Sequence, residues 1–239
     1  MGTTTGPARG DRSTTSDFWH AHGFDWMGEL SQHDTERFLA RSSAQECAPG
    51  ETIFEPSADP KWVYLLETGL VRIFRLSRSG DEVTLGYIPP GEVFGEVEVF
   101  SDGPRESFAQ VVRRARFWQI SRAELQRLFD TYPRIAVHVA QQMGRRFKRL
   151  ESRVENLVLS SLRSRIGHIL LELAEDFGVS SAGGLSIELP LSQHEIAMLV
   201  GATRQSVNLE LRALREANLL VYRNRRFTLR DPVTLRASS

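Results

Sequence analysis

The chain has 239 residues, enough for two domains with separate cores, and its 41% hydrophobic and 25% charged content is that of a globular chain. No apolar run approaches the roughly 18 residues of a membrane span, and the N-terminal stretch lacks the apolar segment of a secretory signal, so the cytoplasm is the expected compartment. The single cysteine, Cys47, excludes an internal disulfide and any four-cysteine zinc or iron–sulfur site within one chain. Formal net charge is zero, but it is unevenly spread. Residues 17–129 carry 12 basic and 18 acidic side chains, a net of −6, whereas residues 203–230 carry seven Arg and two Glu, a net of +5. The basic end suggests phosphate binding.

Residues 1–16 are rich in Thr, Ser and Gly without periodicity and read as a disordered tail. Phe18, Trp19, Phe24, Trp26 and Met27 form an apolar start expected to pack on the next domain, and Ser31 to Leu39 reads as a short capped helix. From about Glu46 apolar and polar residues alternate in short runs. Pro49-Gly50, Thr68-Gly69, Ser79-Gly80 and Pro89-Pro90-Gly91 mark turns between them. Strands are predicted over 52–55, 62–67, 70–76, 82–88, 108–114 and 117–120, a pattern of an all-β barrel or jelly roll.

Ser121 opens a helix to about Phe129, and Pro133 suits the first turn of a long one. Along it Ile135, Val139, Met143, Phe147, Leu150, Val154 and Leu157 recur every three or four residues. The later part is a heptad-like seam, flanked by Arg145, Arg146, Lys148, Arg149, Glu151, Arg153 and Glu155. Val139, Met143, Phe147, Leu150, Val154 and Leu157 are the predicted dimer contacts. The alternative is a long amphipathic helix packed on its own domain. A break near residues 159–161 leads into another helix to Phe177, a loop over 180–184 and a short strand over 185–189.

Ser192 followed by Glu195 makes a capping box, Ile196, Leu199 and Val200 form an apolar edge, and Gly201 allows a sharp turn. Thr203 then caps a second helix with Val207, Leu211 and Leu214 as its buried stripe and Arg204, Gln205, Asn208 and Arg212 on the other side. This is the helix-turn-helix layout, whose second helix enters the DNA major groove. Residues 219–222 and 226–230 around Arg223-Asn224-Arg225 read as a β-hairpin wing. Arg204 suits a bidentate pair to guanine, and Gln205 and Asn208 face the bases beside it. Ser192, Gln193, Thr203, Arg223 and Arg225 are assigned to phosphates, which position the protein without carrying a sequence code.

In this order, a β-roll, a long helix and a winged helix-turn-helix resemble the family of the cyclic AMP receptor protein and the fumarate–nitrate reduction regulator (CRP/FNR). Three segments over about residues 30–230 carry the likeness: Gly91-Glu92-Val93-Phe94-Gly95-Glu96 followed by Pro104-Arg105, then Met143-Gly-Arg-Arg-Phe147, then residues 189–220. The resemblance implies an α+β chain with a sensing β-roll over 17–130, a dimerisation helix and hinge over 131–160 and a winged helix-turn-helix over 161–239. It implies a homodimer on a pseudo-palindromic double-stranded DNA site, controlled by a small effector. No catalytic residues and no metal are expected, the single cysteine excluding the iron–sulfur cluster of the family's oxygen sensors. Activating relatives touch RNA polymerase at the place of residues 180–186.

In cyclic-nucleotide-binding members the residues matching Gly95 and Arg105 hold the cyclic phosphate and the one matching Glu96 holds the ribose. Two departures point away from cyclic AMP. Glu106 and Glu98 replace small residues, and if both turn inward they compete with phosphate for Arg105. Leu150 and Glu151 fall where the cyclic AMP receptor offers a Thr-Ser pair to adenine. Clp-type members also carry glutamate after the arginine and respond to cyclic di-GMP, which makes that cyclic dinucleotide, or another cyclic nucleotide, the candidate effector. The alternative is an effector-independent regulator whose Arg105 is neutralised by Glu96 or Glu106. A heme sensor needs an axial ligand near the roll. None of the six histidines lies in the strand-rich segment, although His20 and His22 are close enough in sequence to reach it. A cupin-type enzyme is the remaining alternative, without a histidine–carboxylate cluster in the strands to support it.

Overall fold

Helix starts follow from side-chain caps. Ser31 accepts from the Asp34 N–H and opens α2 (Gln32–Arg41), after a single turn α1 (Trp26–Glu29). Ser121 does the same for α4 (Arg122–Thr131) and Ser161 for α6 (Leu162–Phe177). Each cap satisfies an N–H that the helix cannot. The computed structural model describes residues 26–181 and 183–237. The predicted tail and Phe18, Trp19, His20, His22 and Phe24 lie outside the described residues.

The roll is built from β1 (Ser43–Cys47), β2 (Thr52–Phe54), β3 (Trp62–Leu76), β4 (Glu82–Ile88), β5 (Val93–Phe94) and β6 (Phe108–Ser121), with a short helix α3 (Val97–Ser101) after β5. The sheet runs β1-β6-β3-β4, with β2 on β6 and β5 on β3. Antiparallel pairing sets Ser43 opposite Gln119 and Cys47 opposite Ala115. Val63, Leu65, Leu66, Leu70, Val71, Val93, Phe94 and Val111 are buried at its centre. The predicted turn at Thr68-Gly69 is instead the middle of one long strand. Gly69 has φ +95° and passes so close to the backbone of β6 that an added Cβ would lie 2.3 Å from the Arg114 carbonyl oxygen. Glycine marks a close approach and a bend there, not a chain reversal. β1 is a further addition. Its residues are mostly exposed, so it carries no apolar alternation to read.

The chain divides into two compact units: residues up to Val71 with Tyr87–Gln142, and Arg72–Gly86 with Met143 onward. The long helix α5 (Pro133–Leu159) therefore has two parts with different burial. In the first unit Ile135 and Val139 are buried. This corrects the assignment of Val139 to the dimer seam: the first turns use their apolar stripe to cover the roll. Met143 is half-buried. Phe147, Leu150, Val154 and Leu157 are exposed, as are Val158 and Leu159.

In the second unit the polar side of α5 is fastened to α6. Arg149 donates to both oxygens of Asp176 at 2.6 and 2.7 Å, and Arg153 donates to Glu172 at 2.6 Å and to the Leu85 carbonyl at 2.8 Å. α6 buries Ile166, Ile169, Leu170, Leu173 and Ala174. It leads into a four-stranded sheet, β7 (Gly178–Ser181), β8 (Gly184–Ile187), β10 (Arg226–Leu229) and β9 (Leu220–Arg223), ordered β7-β8-β10-β9. The predicted loop over 180–184 is thus largely strand, because β7 and β8 form a ladder from Gly178–Ile187 to Ser181–Gly184. Between β8 and β9 lie α7 (Gln193–Val200) and α8 (Arg204–Glu216), and α9 (Pro232–Ala237) follows β10.

One polar cluster ties α2 to α4 in the first unit. The Asp34 carboxylate accepts from the Tyr132 hydroxyl at 2.6 Å, from Arg127 at 2.8 Å and from the Ser31 hydroxyl at 3.1 Å. The Tyr132 hydroxyl foremost, then Ser31 and Arg127, holds the Asp34 carboxyl below its usual value of 3.8. A carboxylate depressed in the folded state stabilises above its unfolded pKa, and that contribution disappears as pH falls through the lower folded value. Asp34→Asn is therefore expected to destabilise the protein at pH 7 but by progressively less below about pH 4. Urea unfolding across pH 7 to 3 measures this, and a difference independent of pH contradicts it.

Candidate nucleic-acid interface and effector cassette

The helix-turn-helix is built from local signals that agree with one another. The Ser192 hydroxyl accepts from the Glu195 N–H at 3.1 Å, while the Glu195 carboxylate accepts from the Ser192 N–H at 2.5 Å. α7 buries Ile196, Ala197, Met198, Leu199 and Val200 and ends at Gly201 in the left-handed region, φ +63°. Thr203 then caps α8 through the Ser206 N–H, and Val207, Leu211 and Leu214 turn inward. Helical spacing leaves Arg204, Gln205, Asn208 and Leu209 exposed. Leu209 is 70% exposed, an apolar side chain on an otherwise polar face. Gln193, half-buried at the start of α7, donates from Nε2 to Asn208 Oδ1 at 3.1 Å and so joins the two helices.

The wing is held against the entry to α7. The Leu191 N–H donates to the Arg225 carbonyl at 2.7 Å, the Tyr222 hydroxyl donates to the Leu191 carbonyl at 3.1 Å, and Arg225 reaches Glu195 at 3.1 Å. One carboxylate, Glu195, therefore serves the cap and the wing together. Asn224 and Arg225 have φ +51° and +60°, the backbone of a type I′ hairpin turn. Asn suits that region, whereas Arg at the second position carries a steric cost that glycine avoids. Arg223, Arg225 and Arg226 cluster at the tip, with Arg226 2.9 Å from Glu188. Ser192, Thr203 and Arg225 thus already have internal partners among the residues assigned to phosphates.

In the roll, Arg105 is 2% exposed. Its Nη1 donates to the Gly95 carbonyl at 2.5 Å and to Glu98 at 3.0 Å, and Nη2 donates to the Trp62 carbonyl at 2.5 Å. The guanidinium lies over the Phe54 ring at 4.3 Å, beside Tyr64, whose phenol burial pushes upward in pKa. Gly95 has φ +72°, and an added Cβ would meet Arg105 Nη1 at 2.9 Å and the Phe54 and Tyr64 rings at 3.1 Å. Glycine is required there both for the backbone and for the approach of the guanidinium. Of the two carboxylates expected to compete for Arg105, Glu98 turns inward and pairs with it, while Glu106 is exposed. Glu96 is buried. Leu150 and Glu151 are exposed residues of α5 in the second unit.

Several partners carry no sequence signal. The Trp62 carbonyl is 43 residues from Arg105. Gln142, buried on α5, accepts from the Val93 N–H at 3.2 Å, donates to the Gly91 carbonyl at 3.3 Å and lies 2.8 Å from His138 Nε2. It anchors the strand that delivers Gly95, a role legible only as a polar residue within one turn of Val139 on an apolar face. Among the described residues no group of three or more His, Cys, Asp or Glu is placed to hold a metal, and no helix is long and apolar enough to cross a membrane.

Comparison with known proteins agrees with this division. A model of the cyclic nucleotide-binding domain matches residues 44–132, and a model of the Crp-like helix-turn-helix domain matches residues 164–238. The CRP-like cAMP-activated global transcriptional regulator of Mycobacterium tuberculosis is 32% identical over 159 residues, 66% of this chain and 71% of that protein. The global nitrogen regulator of Synechococcus elongatus is 31% identical over 188 residues, 78% of this chain and 85% of its own. Among solved structures, the c-di-GMP responsive global regulator CLP of Xanthomonas campestris superimposes with a TM-score of 0.72 at 27% identity, covering 83% of this chain and 99% of that one. With a cyclic nucleotide-binding roll at one end and a helix-turn-helix at the other, this chain belongs to the CRP/FNR family of DNA-binding transcription regulators, the family of the cyclic AMP receptor protein and the fumarate–nitrate reduction regulator.

Proposed function

We propose that the protein acts as a homodimer that reads a two-fold pseudo-palindrome, with half-sites about 34–36 Å apart. The observation that carries this is the solvent-facing row Arg204, Gln205 and Asn208 on a helix whose opposite side is fully buried. Arg204 pairs with guanine O6 and N7, and Gln205 favours adenine N6 and N7, whereas a glutamate there would accept from cytosine N4. Thr203, Ser192, Arg223 and Arg225 contact phosphates. The exposed apolar residues Phe147, Leu150, Val154 and Leu157 are the seam that a second copy covers, since exposed apolar patches on a helix mark association surfaces. In this reading residues 17–130 sense, 131–160 join the two copies and 161–239 read DNA.

The effector of the first reading is a cyclic nucleotide, with cyclic di-GMP the candidate, held by Gly95, Glu96 and Arg105 in the roll. The likeness to a c-di-GMP responsive regulator supports it. To bind, its phosphate must take the place of Glu98 on Arg105. A second reading is favoured by the Arg105–Glu98 contact itself: a buried cation already met by a carboxylate, two carbonyls and an aromatic face needs no ligand. The roll is then a structural domain, and control comes through abundance or a protein partner.

Thermal shift with cyclic AMP, cyclic GMP and cyclic di-GMP separates the two. Under the first reading one of them stabilises the protein, and Glu98→Gln strengthens that response by removing the competitor. Under the second, none does. In either case Arg105→Ala is expected to destabilise the roll by about 3–5 kcal/mol, because it leaves Glu98 as an uncompensated, mostly buried charge. Arg204→Ala is expected to relax guanine preference at one position of each half-site by about 1–3 kcal/mol in a binding-site selection; an unchanged site contradicts the proposed docking. Arg225→Gly is expected to weaken binding about equally to all sequences while changing stability by no more than about 1 kcal/mol, since relief of the left-handed arginine offsets loss of its exposed ion pair with Glu195. A loss of stability with DNA binding intact contradicts that division of roles.

A further inference from the structure

We propose that a cavity between α5 and α6 binds a small organic polyphosphate of the nucleoside triphosphate class, at a site separate from the cassette around Arg105. The cavity has a volume of about 560 Å³, within the roughly 300–1,000 Å³ usual for small-ligand sites. All of its lining residues belong to the second unit. Arg145, Lys148 and Ser152 of α5 form one wall, Arg165 and Ile169 of α6 another, and Leu199 and Val200 at the end of α7 complete it. Arg145, Lys148 and Ser152 follow one another at three and four residues and so share a helix face. At about 100° per residue, Phe147, Leu150 and Val154 lie on the far side of α5. A second copy seated on that seam therefore leaves the cavity open.

Charge decides the class of ligand. Of the cations lining the cavity, Arg149 and Arg153 are already met by Asp176 and Glu172 at 2.6 Å, and Arg236 lies 3.5 Å from Glu175. The first two pairs join α5 to α6 and so set the cavity walls before any ligand arrives. Arg145, Lys148 and Arg165 have no side-chain partner among the described residues. Arg145 and Lys148 are exposed and stay hydrated. Arg165 is half-buried, and its Nε is sealed from water without an acceptor. A guanidinium placed there lacks the counter-charge that burial demands, and an anion in the cavity supplies it. Unmatched charge from two arginines and a lysine suits a triphosphate, which carries several negative charges, better than a cyclic monophosphate. Ile169, Leu199 and Val200 are buried apolar residues that give a base a surface to lie against. Convergent cations beside an apolar wall in a concavity describe a nucleotide site; a DNA backbone contact needs no enclosure.

Isothermal titration calorimetry of the full-length protein tests this, with ATP, GTP and inorganic triphosphate as separate titrants and EDTA present. ATP or GTP is expected to bind one per chain, more tightly than inorganic triphosphate and more weakly as salt is raised. Arg165→Gln and the double variant Arg145→Gln/Lys148→Gln are each expected to weaken binding about tenfold or more, the scale of a lost charge-assisted pair. Glu98→Gln, in the roll, is expected to leave it unchanged. Circular dichroism melts check folding, and the double variant, whose two residues are exposed, carries the test if Arg165→Gln unfolds. The proposal is overturned if neither nucleotide binds, or if binding survives both cavity variants. A loss in Glu98→Gln as large as theirs also overturns it, since the ligand then sits in the cassette. Equal binding of inorganic triphosphate removes the nucleoside class. If no nucleotide binds and the double variant weakens every DNA sequence alike, the face is a DNA backbone contact and the proposal falls. DNA binding by the unaltered protein is measured in parallel; its absence sinks the DNA-reading function and leaves the nucleotide result standing.

Discussion

A guanidinium cannot be taken out of water alone. Arg105 is nearly inaccessible, and this one constraint organises the part of the roll around it. A permanent charge in that position needs hydrogen-bond acceptors for its nitrogens and a polarisable face for its plane. The chain supplies the Gly95 and Trp62 carbonyls, the Glu98 carboxylate and the Phe54 ring. Gly95 has to be glycine so that the guanidinium can approach, and the stacked rings of Phe54, Tyr64 and Phe94 form the wall behind it. Gln142 in turn fixes Gly91 and Val93 immediately upstream. An anion entering this cassette exchanges one negative partner of Arg105 for another. Its net gain is the difference between two ion pairs, not the full attraction of a free cation.

The DNA-reading half rests on a different economy of contacts. Glu195 closes the capping box of α7 and meets Arg225 of the wing, while the wing backbone also bonds to Leu191 at the entry to α7. Caps, glycine turn and wing are thus fastened to one another by short polar contacts around a buried apolar stripe. The exposed face is left free to vary in chemistry without altering the scaffold. Gln205, Asn208 and Leu209 lie on that exposed face, and Gln193 of α7 reaches across to Asn208 at 3.1 Å.

The helix-turn-helix, the wing and the four long helices were legible in the sequence because each rests on local chemistry. Ser31, Ser121, Ser161, Ser192 and Thr203 cap within three residues of themselves, Gly201 turns in place, and Val207, Leu211 and Leu214 repeat at helical spacing. The roll was legible as a class and less so in its strands. Gly69 resembles a turn residue until the neighbouring strand is seen to pass over it, and β1 carries no apolar alternation at all.

By itself the sequence determined the order of parts, the family, the exposed polar face of α8 and the identity of the cassette arginine, since all of these depend on residue types at fixed short separations. Tertiary structure alone decided which carboxylate meets Arg105, that Val139 is buried while Phe147, Leu150, Val154 and Leu157 are exposed, and that Gln193 of α7 meets Asn208 of α8. The reason is common to all three. Each outcome depends on groups distant in sequence or on separate elements, brought together by the packing of apolar faces that no local pattern specifies.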